Sequence, residues 1–166
     1  MTQVKFKNPG LIVFDPAVRD ILYKQRQQGN ENEKAAVLGG YYSPDGVWHV
    51  TAAMPSSSKN KAGRYWVLRD RPSAQLFINM IYKETSGKVN YLGEWHTHPI
   101  EIPVPSPDDR SMISGLLKTS VLEIDFLISV IVGNAGCACC WVQTKKGDKI
   151  LVETPQYFDL QSGKLI

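Results

Sequence analysis

The segment Glu94–Asp109, EWHTHPIEIPVPSPDD, places two histidines one residue apart, ahead of a proline-rich loop and a pair of acids. Side chains of residues i and i+2 on a β-strand point to the same face. If Leu92–His98 is a strand, His96 and His98 project together into one small volume. Imidazole nitrogens are common zinc ligands, and a catalytic zinc keeps one coordination position for water. The segment therefore predicts a metal site with two histidine ligands.

A third ligand is expected just downstream, in the run Ser106-Pro107-Asp108-Asp109. Ser is a favoured N-cap, Pro is favoured at the first helical position, and acids are favoured in the first turn. A carboxylate in that turn lies near the positive end of the helix dipole. The segment can thus present two imidazoles and one carboxylate, which leaves the fourth tetrahedral position for water.

The spacing His-x-His-Pro, six residues, then Ser-x-x-Asp resembles the signature of the JAMM (MPN-plus) zinc metalloprotease family. That family also uses an upstream glutamate, at the start of a strand reading Glu-x-Gly-Gly-apolar-apolar-x-Gly. The stretch Glu33–Gly40, EKAAVLGG, matches at its first residue, at the apolar pair and at its last residue, with two alanines in place of two glycines. The downstream signature is matched by His96, Thr97, His98, Pro99, Ser106 and Asp109.

The resemblance implies a role for each of these residues. His96, His98 and Asp109 would hold one zinc ion (Zn2+) per chain. Glu33 would be the general base that takes a proton from the attacking water and later delivers it to the leaving amine. Ser106 would stabilise the oxyanion formed at the scissile carbonyl, in addition to capping the helix.

Other interpretations of these acids stay open. Asp108 is expected only to complement the helix dipole. Glu94 lies two residues before His96 and shares the histidine face, so it is a rival general base or a partner that orients an imidazole. The polar neighbours of Glu33 are also typical of an exposed loop acid.

Three cysteines are crowded into Cys137–Cys140. On a strand, Cys139 and Cys140 would point to opposite faces, and no fourth ligand is visible, so we expect small buried strand residues rather than a second metal site. An odd number of clustered cysteines also argues against a disulfide framework and favours a reducing, cytoplasmic location.

Length and composition limit the remaining possibilities. The chain of 166 residues fits a single domain over positions 1–166, and its 43% hydrophobic and 21% charged residues are typical of a globular protein. No apolar run approaches the roughly 20 residues of a membrane span, and the N-terminus lacks a signal-peptide core. The net charge of +3 comes without a dense Lys/Arg block, so neither a nucleic-acid nor a membrane partner is predicted.

Hydrophobic periodicity and turn signals predict a mixed α+β (α/β) fold, in which helices pack against a mixed β-sheet. The resemblance implies the same architecture, the JAMM/MPN (cytidine-deaminase-like) fold. The region Pro55–Arg64 is expected to be a polar loop, and Gly29 is expected to stop the first helix. Strands are predicted at Val4–Lys7, Leu11–Phe14, Ala35–Tyr42, Val47–Ala53, Val89–His98, Phe126–Val132, Cys137–Thr144 and Ile150–Glu153, and helices after Asp15 and at Pro72–Glu84 and Ser106–Lys118.

The resemblance implies a zinc isopeptidase that would act on a ubiquitin-like modifier or on a conjugated target with a flexible C-terminal tail. The runs ENEKAAVLGGYY, GEWHTHP and FLISVIVG resemble bacterial deconjugating proteases of anti-phage (CBASS) operons. The implied partners there are a cyclic-nucleotide synthase and an E1/E2-like conjugating enzyme. A peptidase that trims a sulfur-carrier protein tail would use the same residues.

Two other classes stay open. An inactive MPN scaffold would have lost turnover while keeping the fold, and its metal content would reveal it. A cupin-like redox protein would use iron at the same histidines, although the third histidine, His49, lacks the accompanying glutamate spacing.

Overall fold

The computed structural model describes all 166 residues, arranged as eleven strands and three helices. The helices are α1 (Pro16–Lys24), α2 (Arg71–Glu84) and α3 (Pro107–Thr119). The strands are β1 (Thr2–Lys5), β2 (Leu11–Phe14), β3 (Ala35–Tyr42), β4 (Val47–Ala53), β5 (Lys61–Gly63), β6 (Trp66–Leu68), β7 (Asn90–Thr97), β8 (Phe126–Val132), β9 (Cys137–Lys146), β10 (Lys149–Val152) and β11 (Gln156–Asp159).

Nine of the strands form one mixed sheet in the order β1-β2-β4-β3-β7-β8-β9-β10, and β11 also pairs with β9. Most neighbours are antiparallel, whereas β2 with β4 and β7 with β8 are parallel. Strand β7 is therefore central. The short strands β5 and β6 form a separate antiparallel hairpin.

Helices cover both faces of this sheet. Alternate side chains of the buried strand β8 therefore pack into different cores on the two faces. Ile128 and Val130 pack in the core that includes Val18 and Leu22 of α1. On the opposite face, Leu127 and Ile131 pack in a second core with Ile113 and Leu117 of α3. A third core joins Val37 of β3 to Ala74, Ile78 and Ile81 of α2. The predicted mixed fold with flanking helices is confirmed.

The two faces also account for the cysteines. Cys140 lies in the α1-side core and Cys139 in the α3-side core, and burial raises the pKa of both thiols. Both are packing residues, as predicted from the strand alternation. Trp95, next to His96 in β7, is fully buried on the α1 side, so it points away from the histidines.

Several predicted element bounds differ from the structure. The polar loop predicted at Pro55–Arg64 contains β5, whose partner β6 follows at once. Helix α1 ends at Lys24, well before Gly29, and the backbone N–H of its C-cap residue Gln25 bonds to the carbonyls of Ile21 and Leu22. Strand β7 ends at Thr97, one residue before His98. Strand β11 had no prediction. None of the helices is both long and apolar enough to pass through a membrane.

Candidate metal centre

Strand β7 positions the two histidines on the α3 side of the sheet. His96 is 7% exposed and pairs in register with Ala35 of β3 and Ile131 of β8. His98 follows the end of β7, but its backbone N–H still donates to the Val132 carbonyl at 3.1 Å. The backbone of both histidines is therefore fixed by neighbouring strands.

The first turn of α3 positions the carboxylate. Ser106 Oγ accepts a hydrogen bond from the Asp109 N–H at 3.0 Å, and the Ser106 N–H donates to Asp109 Oδ2 at 2.8 Å. This reciprocal pair is a capping box, and it satisfies two backbone donors that the helix leaves unpaired. It also fixes the direction in which the Asp109 carboxylate points. Asp108, in the same turn, makes no such bond.

Three side chains converge here. His96 Nε2 lies 3.1 Å from Asp109 Oδ1, His98 Nε2 lies 3.4 Å from Asp109 Oδ2, and the two Nε2 atoms are 3.1 Å apart. One ligand atom from each residue lies within 4.8 Å of the others. Two imidazole nitrogens and one carboxylate oxygen directed at a single volume are a donor set that suits a zinc ion. The structure thus brings together all three predicted ligands.

The electrostatics of this cluster favour an ionised carboxylate. Burial alone would raise the pKa of Asp109, but hydrogen bonds with His96 and His98 and from the Ser106 backbone hold that pKa well below its usual range. An ionised carboxylate is the form that binds a cation. Asp109, rather than Asp108, is the acid that faces the histidines.

Glu33 lies beside this cluster because of the register of β3 with β7. Ala35 pairs with His96, so the antiparallel register continued two residues outward sets Glu33 opposite His98. The Glu33 N–H is held by the Gly63 carbonyl at 2.8 Å, and the residue is only 7% exposed. The structure therefore excludes the interpretation of Glu33 as an exposed loop acid.

The pKa of Glu33 is raised to about 7. Burial is the main cause, the charge of Asp109 adds to it, and a charged His98 opposes it. A carboxylate with a pKa near neutral pH can both accept and release a proton under physiological conditions.

Glu94 does share the histidine face, but its carboxylate is bound elsewhere. Arg69 Nε donates to its two oxygens at 2.8 and 3.0 Å, and Arg69 Nη2 donates to Oε1 at 2.6 Å. Neither histidine is its hydrogen-bond partner. The sequence analysis did not anticipate this arginine, because it lies 25 residues away in a segment with no motif.

The centre opens into a cleft of about 830 Å³ between the β5–β6 hairpin and α3. Tyr65, Trp66 and Leu68 of the hairpin line one wall, and Met112 and Leu116 of α3 line the other. Most of these side chains are exposed, with Tyr65 at 71% and Leu68 at 64%. An exposed apolar patch of this kind is typical of a binding groove.

Comparisons with known proteins agree with this geometry. A chain named CD-NTase/cGAS isopeptidase from Escherichia coli (strain TW11681) is 27% identical over 131 residues, which cover 78% of this chain and 79% of that protein. A protein named probable metalloprotease y4qB from Sinorhizobium fredii is 28% identical over 113 residues, covering 67% of this chain and 68% of that protein. A CD-NTase/cGAS isopeptidase from Vibrio cholerae is 31% identical over 75 residues, covering 45% of this chain and 44% of that protein.

The fold also has a solved relative. The solution structure of protein DSY2949 from Desulfitobacterium hafniense superposes with a TM-score of 0.57 at 19% identity, covering 86% of this chain and 89% of that one. The family model of prokaryotic homologs of the JAB domain (Prok-JAB) matches residues 15–144, a range that includes the whole candidate centre. The expected resemblance is thereby confirmed, and the chain belongs to the Prok-JAB family.

Proposed function

We propose that this protein is a zinc-dependent isopeptidase that hydrolyses the amide bond at the C-terminus of a ubiquitin-like modifier. The observation that carries the proposal is the convergence of His96, His98 and Asp109, with the buried Glu33 beside them in an open cleft. Family membership and the names of the relatives support a hydrolase of the JAB type.

His96, His98 and Asp109 are the residues that would hold the ion. A zinc ion bound there supplies Lewis acidity to the scissile carbonyl and lowers the pKa of the attacking water. The protein residues do the rest. They orient the tail and move protons.

Glu33 is the proton carrier in this mechanism. Its carboxylate accepts a proton from the attacking water and then delivers it to the nitrogen of the leaving amine, so that the amine leaves as a neutral group. Its burial and the pKa near neutral pH suit both halves of this transfer. Glu94 is less suited, because Arg69 already occupies both of its oxygens.

Ser106 is proposed to stabilise the oxyanion. Its Oγ accepts a bond from the Asp109 N–H, which leaves its own hydroxyl proton to be donated. It lines the same cleft as the ligands. A hydroxyl fixed by a helix cap needs little reorganisation when negative charge develops on the substrate oxygen.

The substrate is proposed to be an extended C-terminal tail. The cleft is open to solvent, and β6 pairs with β5 alone, so the other edge of β6 carries backbone groups that no strand pairs. An extended peptide can add to such an edge as a further strand. The exposed aromatic and aliphatic side chains of the hairpin would then contact the tail's side chains.

We further propose that the protein reverses E1/E2-like conjugation in a CBASS-like anti-phage system. The support is the similarity to two relatives named CD-NTase/cGAS isopeptidase. The proposed partners are a ubiquitin-like modifier or a modified cyclic-nucleotide synthase, together with the conjugating enzyme that opposes this reaction. The cytoplasm is the proposed location.

The test is cleavage of defined fusions. The purified protein, loaded with zinc, is incubated with candidate modifiers and with a cyclic-nucleotide synthase, each fused through its C-terminus to a reporter. Mass spectrometry of the products should show a cut directly after the modifier's last residue, and none with the Glu33→Ala variant. If only sulfur-carrier fusions are cleaved, the substrate is a sulfur-carrier tail rather than a conjugated modifier. Zinc binding without cleavage of any fusion would contradict the proposal.

A further inference from the structure

A buried ion pair lies in the cleft next to the metal centre. Arg69 and Glu94 make the three short hydrogen bonds described above, and their side chains are only 19% and 4% exposed. Burying two charges costs desolvation energy that apolar residues of similar size would avoid. The pair is therefore poorly explained by stability alone, and its position in the cleft points to a role in binding.

The hydrogen bonds use only part of the guanidinium. Arginine has five N–H donors in a planar fork. Glu94 takes the one N–H of Nε and one N–H of Nη2, and the hydroxyl of Tyr91 lies beside the same guanidinium. No side-chain hydrogen bond within 3.5 Å uses the two N–H groups of Arg69 Nη1. Arg69 also lines both the catalytic cleft and an adjoining cavity of about 900 Å³. The free edge of a guanidinium fixed in this way is a preorganised donor at the junction of the two cavities.

The charges in this cluster indicate what the free edge binds. Because Glu94 already neutralises Arg69, the pair offers hydrogen-bond donors without a net positive charge. A neutral acceptor, such as a backbone carbonyl, fits it better than a carboxylate or a phosphate. Tyr91, which lines the adjoining cavity, places its buried hydroxyl beside both Glu94 and Arg69, although not at good hydrogen-bonding geometry to either.

Strand geometry sets the distance from the chemistry. Glu94 and His96 are two residues apart in β7, which corresponds to about 7 Å along the strand. An extended substrate advances about 3.3–3.6 Å per residue. A tail that adds to β6 and passes alongside Glu94 and His96 in the direction of β7 would therefore place the carbonyl that meets Arg69 about two residues from the scissile bond.

We propose that Arg69 is a substrate-binding residue that donates to a backbone carbonyl of the tail, and that Glu94 is the positioning residue that orients its guanidinium. This inference rests on the proposed function. Arg69 acts on a part of the substrate that does not react, so it contributes equally to the ground state and the transition state. Loss of such an interaction raises KM and leaves kcat unchanged.

The test uses the double variant Arg69→Met/Glu94→Met, which removes both charges and leaves neither one buried alone. Zinc content and thermal unfolding are measured first, and then kcat and KM on a modifier fusion that the wild type cleaves. KM should rise about 10- to 100-fold, as expected for one lost charge-assisted hydrogen bond, and kcat should stay within about threefold.

Two single variants keep the test decisive if the double variant does not fold. Arg69→Lys retains a charge for Glu94 but lacks the planar fork, so KM should rise at least about fivefold. Glu94→Gln retains the shape and one acceptor, so KM should rise less than in the double variant, with kcat unchanged. The control Asp20→Ala/Lys24→Ala removes an exposed ion pair on α1, remote from the cleft, and should leave both constants unchanged.

The outcomes separate the two proposals. If the wild type cleaves a fusion but folded, zinc-loaded Arg69 variants keep its KM within twofold, the inference about Arg69 fails and the proposed function stands. A fall in kcat at constant KM also overturns it, because the pair would then act on the chemical step. If the wild type cleaves no fusion, the proposed function fails and this inference fails with it.

Discussion

The proposed role of Glu33 separates metal binding from turnover, because this side chain lies beside the three candidate ligands and is not one of them. We expect Glu33→Ala to keep zinc and to lower kcat about 10²- to 10⁴-fold, the usual contribution of a general acid–base group. Zinc content and fusion cleavage measure the two effects. The matched control is Glu31→Gln, which changes an exposed acid paired with Lys34 and should retain activity. If Glu33→Ala keeps full activity, another group is the base.

Asp109 and Asp108 are adjacent acids with different surroundings. We expect Asp109→Ala to lose zinc on dialysis, since only this carboxylate faces both histidines. Asp108→Ala should retain zinc and lose at most about 0.3–1 kcal/mol of stability, its share of the helix-dipole interaction. Elemental analysis of both variants is the measurement. Equal zinc content in the two variants would contradict the assigned ligand set.

The raised pKa of Glu33 predicts a pH-dependent stability for the metal-free protein. Its pKa is about 7 when folded, against an ordinary value of 4.5, so the folded state binds this proton more tightly than the unfolded state. The free energy of unfolding therefore falls as pH rises from about 4.5 to 7, by up to about 1.4 kcal/mol per pH unit. The Glu33→Gln variant lacks the ionisable carboxyl group, so it should not lose this stability as pH rises.

Denaturant unfolding in EDTA at pH 5, 6, 7 and 8 measures how the free energy of unfolding of the wild type and of Glu33→Gln depends on pH. The stability of Glu33→Gln relative to wild type should increase with pH and level off above pH 7. Glu31→Gln should show no such rise, because the pKa of Glu31 is lowered by its hydrogen bond with Lys34. A difference between Glu33→Gln and wild type that does not vary with pH would contradict the buried position of Glu33.

At the scale of elements, the predicted strand bounds were most accurate where strong turn-forming residues separate the strands. Ser43-Pro44-Asp45-Gly46 separates β3 from β4, and the bounds of both strands match the prediction. Strand β8 was evident from its continuous apolar run. The β5–β6 hairpin and β11 were missed because their strands are only three or four residues long, so tertiary pairing rather than periodicity fixes them.

The candidate centre was likewise predictable only where a local sequence pattern places its residues. The two histidines and the acid lie within one short segment, so strand alternation and helix-cap chemistry predicted their convergence. The proximity of Glu33 depends on the register of β3 with β7, which no local pattern fixes, and only the family resemblance indicated it. Arg69 lies between β6 and α2 and belongs to no motif, so its pairing with Glu94 had no sequence signal.

The contact between β7 and β8 gives an element-scale prediction. A Cβ added to Gly93 would lie 1.8 Å from the Ile128 carbonyl oxygen, so the two strands would have to separate three residues from His96. We expect Gly93→Ala to destabilise the protein by about 1–3 kcal/mol or more and to weaken zinc binding. Denaturant unfolding and zinc titration measure these effects.

Gly115→Ala is the matched control. This glycine lies inside α3, and an added Cβ would meet no atom within 4 Å. Because alanine is the better helix former, we expect a gain of about 0.5–1 kcal/mol in stability. Equal stability effects of the two substitutions would show that β7 and β8 can move apart freely.

For the whole molecule, a metal at this centre would connect β7 to α3, two elements that belong to different parts of the core. Binding to the folded state alone stabilises it by about 2.7 kcal/mol when the free ligand is 100-fold above Kd. For a protein of this size, that corresponds to a rise in Tm of about 5–10 °C. Calorimetry with zinc and with EDTA should show this difference.

His98→Ala is the control for that shift, because it removes one ligand just beyond the end of β7. The variant should unfold at the same temperature with zinc and with EDTA. A zinc-dependent rise in Tm that persists in His98→Ala would place the stabilising ion elsewhere on the molecule.

Asp109 both caps helix α3 and faces the histidines, because the capping-box hydrogen bonds that begin the helix also orient its carboxylate towards them. If the first turn of α3 frayed, the carboxylate would swing away while the sheet stayed intact. In the proposed mechanism, melting of one helical turn would then abolish activity without loss of the fold. Any contact that orders or disorders this turn, including a substrate bound along the cleft, would therefore change the affinity of this centre for a metal ion.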